Sequence, residues 1–122
     1  NYPCGMVGDV EIRFNHYRTF EEAAAKWEER KKRIDWDNLF IIGIDGDDCT
    51  YDSLRRFDAL PYKNKVIFTH KPYPEFSCAH YIPGFEDQEG VYRITDFTGG
   101  RSIRRHMDHF DYVSFLNGKK PK

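Results

Sequence analysis

Residues Leu39 to Thr50 read Leu-Phe-Ile-Ile-Gly-Ile-Asp-Gly-Asp-Asp-Cys-Thr. An unbroken apolar and glycine run stops at three carboxylates, a thiol and a hydroxyl. An apolar run of that length predicts a strand covered on both faces, the usual state of a central parallel strand. The polar cluster then falls just past the strand's carboxyl end, and in open α/β sheets that edge is where ligands bind.

Working outward toward the N-terminus, Asp9 to Phe14 alternates Val10, Ile12 and Phe14 with charged residues. A period of two predicts a strand with one wet face, nearer a sheet edge, with Asn15, His16 and Tyr17 at its carboxyl end. Asn1 to Gly8, with Pro3, Gly5 and Gly8, reads as a lead-in loop. Thr19-Phe20-Glu21-Glu22 is a capping box that opens a helix to about Ile34. Phe20, Ala23, Ala24, Trp27 and Ile34 share one face of it. Glu22–Lys26, Glu28–Lys32 and Glu29–Arg33 are spaced four apart on the other. The basic run Arg30 to Arg33 reads as a solvated helix end that suits the macrodipole.

Toward the C-terminus, Thr50 or Asp48 can cap a second helix carrying Tyr51, Leu54, Phe57 and Leu60 on one face, ended by Pro61. Lys65 to Thr69 is a third strand and delivers His70 and Lys71. Strand, helix, strand, helix, strand with short connections predicts two right-handed βαβ units. The fold class expected is therefore a single α/β domain over 1–122, three-layer, with a mostly parallel sheet and a looser C-terminal portion. In that portion the prolines of Lys71 to Phe76 exclude a strand interior. Ala79 to Ile82 and Val91 to Ile94 are short strand candidates. Ser102 to about Leu116 reads as mostly helical, with Ile103, Met107 and Phe110 inward and a second start at Asp111. Gly118 suits a C-terminal cap, and residues 119–122 read as a frayed tail.

The totals narrow the function classes. Lys+Arg is 19 against Asp+Glu 20, a net charge of −1, which gives no concentrated basic face for nucleic acid. No apolar run reaches the length of a membrane span, and no signal peptide is evident. Three irregularly spaced cysteines read as cytosolic thiols rather than a disulfide frame. The chain opens on Asn1 rather than Met, as expected of a processed or excised piece.

Parallel strands gather their carboxyl ends on one edge. His16, then Asp45, Asp47, Asp48 and Cys49, then His70 and Lys71 all follow expected strand ends. Asp45-Gly46-Asp47 is an Asp-x-Asp of the kind that holds Mg²⁺ or Mn²⁺ against phosphates, as in one broad class of nucleotide-sugar glycosyltransferases. The bland alternative has Asp45 bracing the loop and the others accepting helix amides. Cys49 near a helix N-terminus can act as a nucleophile with His70 or His16 as base, or simply pack as a small thiol. His70 and Lys71 suit an anion such as a phosphate or sugar acid. Tyr73, Phe76, Tyr81 and Phe85 can stack on a sugar ring or pack their loops down. His80, His106 and His109 have no metal-ligand spacing among them.

Two resemblances add to this. An apolar strand, an Asp-x-Asp and a later strand ending in Thr69 faintly resemble haloacid-dehalogenase-type phosphatases, with Cys49 where a small Thr or Val is usual. More extensive are Y-P-C-G (2–5), F-N-H-Y (14–17), E-E-A-A-A-K-W (21–27), R-K-K-R-I (30–34) and C-T-Y (49–51). R-F-D-A-L-P-Y-K-N-K-V-I-F-T-H-K-P-Y-P-E (56–75), Y-I-P-G-F-E (81–86) and F-D-Y-V-S-F-L-N (110–117) complete the set. Together they resemble a bacterial family of exopolysaccharide biosynthesis proteins, domain of unknown function 1919.

That resemblance implies a cytoplasmic protein serving capsule, exopolysaccharide or lipopolysaccharide assembly, among protein partners of that machinery. It also implies a further segment ahead of residue 1, and it transfers no catalytic residues. The combined expectation is a transferase acting on sugars or nucleotide sugars. Asp45, His70 and His16 would be catalytic, and Lys71, Tyr73, Cys49 and Asp48 would contact substrate, with Mg or Mn on Asp45 and Asp47. The alternatives are a non-catalytic module that binds polysaccharide or a partner, and a phosphatase.

Overall fold

Residues 1–46 and 48–119 are described by a computed structural model, in which the chain divides into two units, Asn1–Asn38 and Leu39–Lys122. In the first unit, β1 (Cys4–Val7) and β2 (Val10–Arg13) form an antiparallel hairpin with Val7 opposite Val10. The turn between them places Gly8 at φ +62°, a conformation glycine adopts without steric cost. Helix α1 (Phe20–Lys31) starts as its capping residue dictates: Thr19 is extended and its hydroxyl accepts from the Glu22 amide at 3.2 Å. Ala23 is buried, and Phe14 meets Trp27 edge-on at 6.3 Å between ring centres. Glu29 pairs with both Lys26 and Arg33 on the wet face.

The second unit holds a parallel sheet in the order β3 (Phe40–Ile44), β4 (Asn64–Thr69), β5 (Ala79–Tyr81). Helix α2 (Tyr51–Asp58) joins β3 to β4. Its cap Thr50 accepts from the Ser53 amide at 3.1 Å, and Ser53 returns the bond to the Thr50 amide. Alternation along β4 builds the core. Val66 and Phe68 enter one cluster with Ile82, Phe85, Val91, Phe110 and Phe115, while Ile67 enters another with Leu54, Phe76 and Cys78. A short helix α3 (Tyr112–Leu116), capped by Asp111, brings Phe115 to the first cluster.

The fold is thus mixed α/β, with a short parallel three-stranded sheet and a separate antiparallel pair. Several expectations are corrected. β2 pairs with β1 and does not join the parallel sheet, so among the described residues one of the two expected βαβ units forms, β3-α2-β4. The lead-in loop contains β1. The central parallel strand is β4, buried on both faces, whereas β3 lies at the sheet's end with Ile42 and Ile44 about half exposed. Val91 to Ile94 is not a strand. The expected helix from Ser102 becomes a Phe97–Arg105 bridge, a 3₁₀ turn at His106–His109 and α3, with Ile103 fully out in solvent. Lys120 to Lys122 of the expected tail lie outside the described residues, as does Asp47.

Candidate functional site

Strand β3 delivers Asp45 to the carboxyl edge of the sheet, where its amide donates to the Phe68 carbonyl at 3.0 Å and continues the ladder by one residue. Its side chain is 2% exposed. A carboxylate taken that far from water must be met by donors. Three meet it. Oδ2 accepts from the His70 amide at 2.9 Å and from His70 Nδ1 at 2.6 Å, and Oδ1 accepts from the Val91 amide at 2.8 Å. Gly90 makes the last bond possible, since a Cβ there would lie 1.8 Å from the Asp45 carbonyl oxygen. One carboxylate therefore ties together the ends of β3 and β4 and a loop 46 residues further on.

The pairing fixes a tautomer. A carboxylate only accepts, so His70 Nδ1 carries the proton, and in the neutral ring the lone pair resides on Nε2. The imidazole is itself nearly buried, its side chain 11% exposed. An aspartate that orients a histidine through Nδ1 leaves Nε2 as a base aimed away from the aspartate, which is the working logic of an Asp–His acid–base pair.

Two more predicted residues come into the field of Asp45. The Tyr73 phenol is pushed up by burial, and next by the charges of Asp45, Cys49 and Glu75. Its ring leans on Phe76 and Tyr51, whose hydroxyl donates to Glu75 at 3.0 Å. The Cys49 thiol is likewise pushed up, by burial first and by Asp45 second. A thiol held protonated is a poor nucleophile. Lys71 has an exposed side chain, and its carbonyl accepts from the Thr69 hydroxyl at 2.7 Å. Asp48 is exposed, with φ at +62°, a left-handed conformation that aspartate tolerates better than most residues. His16 is exposed in the first unit. It follows β2, which pairs with β1 and is not a strand of the parallel sheet.

The pairing of Asp47 with Asp45 on a cation falls on a residue outside those described. Among the described residues, no group of three or more His, Cys, Asp or Glu is placed to hold a metal ion. Phe76 and Phe85 are core residues, so the plainer of their two expectations holds. Sequence reasoning missed Gly90 and Val91. Glu89-Gly90-Val91 carries a glycine between loop and apolar residue, the one local sign of a close backbone approach.

The chain belongs to the family described as Domain of unknown function (DUF1919), whose model matches residues 1–117. It is 49% identical over 117 residues to an uncharacterised protein of Haemophilus influenzae, covering 96% of this chain and 56% of that protein. The chain thus spans little more than half the length of this relative. Among the described residues, no helix is long and apolar enough to cross a membrane.

Proposed function

We propose that this chain supplies the acid–base centre of a transferase acting on sugars or nucleotide sugars. In this role His70 is the catalytic residue and Asp45 the positioning residue. The observation that carries this is the buried Asp45–His70 pair at the carboxyl edge of a parallel sheet. His70 Nε2 removes the proton of an attacking sugar hydroxyl as that oxygen bonds to the anomeric carbon. The bond from that carbon to the diphosphate oxygen breaks, and the electron pair leaves with the nucleotide. Asp45 stabilises the imidazolium formed, which then returns its proton to solvent or leaving group. Lys71 would contact the anionic part of the donor and Tyr73 a ring face or hydroxyl. Full burial and three protein donors commit Asp45 to the imidazole, so a Mg²⁺ or Mn²⁺ ion would take Asp47 as its ligand and would supply positive charge to the departing diphosphate. The sequence resemblance is what supports cytoplasmic placement and service in surface polysaccharide assembly as part of this proposal.

Burial of Phe76 and Phe85 counts against a non-catalytic module built on an aromatic platform in these loops. The occupied, inaccessible Asp45 carboxylate counts against a phosphatase that uses it as nucleophile. The test is a thermal-shift screen of nucleotide sugars and sugar phosphates, with and without Mg²⁺ or Mn²⁺, followed by turnover of any hit. His70→Gln should keep the ligand shift and lose on the order of 10²–10⁴-fold in turnover. Unchanged turnover in that variant would remove His70 from the chemistry.

A further inference from the structure

A polar cavity of about 300 Å³ opens in the second unit, at the lower bound for small-molecule sites. It begins at Ile82 and Pro83, just past β5, and Ile82 donates to the carbonyl of Thr69, the residue before His70. Its polar wall is Arg104, Arg105, His106 and His109, with Thr98 and one carboxylate, Asp108.

The backbone carrying the two exposed arginines is held in place. Arg104 is fixed through its backbone: its carbonyl accepts from the Thr98 amide at 3.0 Å and its amide donates to the Ser102 hydroxyl at 3.1 Å. Arg105 lies over the Phe97 ring, 5.4 Å from its centre, and its amide donates to Asp108 Oδ2 at 2.7 Å. Part of the lone carboxylate's charge is thereby spent on backbone. Among the described residues neither guanidinium takes part in an ion pair; the neighbouring pair is Arg93–Asp96. His106 is held between Phe85, at 4.6 Å between ring centres, and the Cα of Gly84, where a Cβ would come within 2.9 Å of it. His109 Nδ1 is engaged by His80 Nε2 at 3.0 Å, which leaves its Nε2 for a ligand.

Two arginines outside any ion pair and two imidazoles, against one half-engaged carboxylate, give the cavity a net cationic lining. We infer that it binds a phosphate or diphosphate group. Guanidinium groups match phosphate oxygens with paired donors, and imidazole N–H groups add single ones. The site does not depend on His70 being catalytic.

Titration of the whole chain with inorganic phosphate and with pyrophosphate, followed by ³¹P NMR and calorimetry, tests this. Pyrophosphate should bind. The double variant Arg104→Gln/Arg105→Gln should lose at least about tenfold in affinity, a change worth roughly 1.4 kcal/mol. Arg101→Gln, which removes an equal charge outside the cavity wall, should keep it, and so should His70→Gln. No binding at millimolar pyrophosphate, or equal weakening by Arg101→Gln, would overturn the inference. Loss of binding in His70→Gln alone would transfer the anion to the other site and overturn it as well.

Discussion

Asp45 Oδ2 accepts from both the backbone amide and the ring Nδ1 of His70, at 2.9 and 2.6 Å. The same oxygen therefore sets where β4 ends and which way its first loop side chain faces. Stability and the proposed chemistry rest on one buried charge, and each gives its own measurements.

Asp45→Ala would strand two buried backbone amides and the His70 ring. Removing one partner of a buried charged network costs about 3–5 kcal/mol. Chemical denaturation should show a loss of that order. A loss below about 1 kcal/mol would mean that water reaches these donors readily.

Gly90→Ala places a methyl where the Asp45 carbonyl sits, so the backbone must give way. The expected loss is roughly 1–3 kcal/mol, as for overpacking a tight core. Gly46→Ala is the control, because its Cβ would meet only the Ile44 side chain at an ordinary 3.8 Å. Equal losses in the two variants would contradict the close approach.

His80 is held below the ordinary imidazole value by burial, and next by His109, with the Phe68 and Phe110 rings against it. A base with a lowered folded value favours the neutral form when folded. Its contribution is complete above about pH 6.5 and is lost as pH falls through the folded value, because the unfolded chain then binds the extra proton. Thermal midpoints measured from neutral to acid should fall more steeply for the wild type than for His80→Gln. Parallel profiles would contradict this.

The three thiols should react in order of access. Cys4 is exposed, Cys49 half-buried with its thiol pushed up, and Cys78 is buried with its thiol pushed up to about 12 by burial and by Asp58. Mass-spectrometric footprinting with iodoacetamide near neutral pH should label Cys4 first and Cys78 only on unfolding. Early labelling of Cys78 would show that the Leu54–Phe76 cluster opens locally.

What the sequence revealed divides by range. The capped starts of α1 and α2 and the strands ending at Ile44 and Thr69 depend on neighbours within a few residues, and Thr19, Thr50 and the apolar runs displayed them. Pairing was less visible. Val10 and Ile12 alternate as any edge strand does, and nothing local distinguishes a hairpin with Cys4–Val7 from a place in the parallel sheet. The segment after Ser102 has helical spacing, but the amides of His106 and Met107 donate to the carbonyls of Asp96 and Ile94, and those bonds outcompete a local helix. For the site, Asp45 and His70 were legible as residues beyond strand ends. The Val91 amide, 46 residues away, was not.

The measurement that bears most directly on the Asp45–His70 pair is ¹⁵N NMR of the imidazoles, followed across a pH series to its alkaline limit. His70 should show a protonated Nδ1 and an unprotonated Nε2, with its Nδ1 proton in a strong hydrogen bond. A His70 ring protonated on Nε2 would contradict the account, because the carboxylate of Asp45 would then not be holding the ring and no base would be presented.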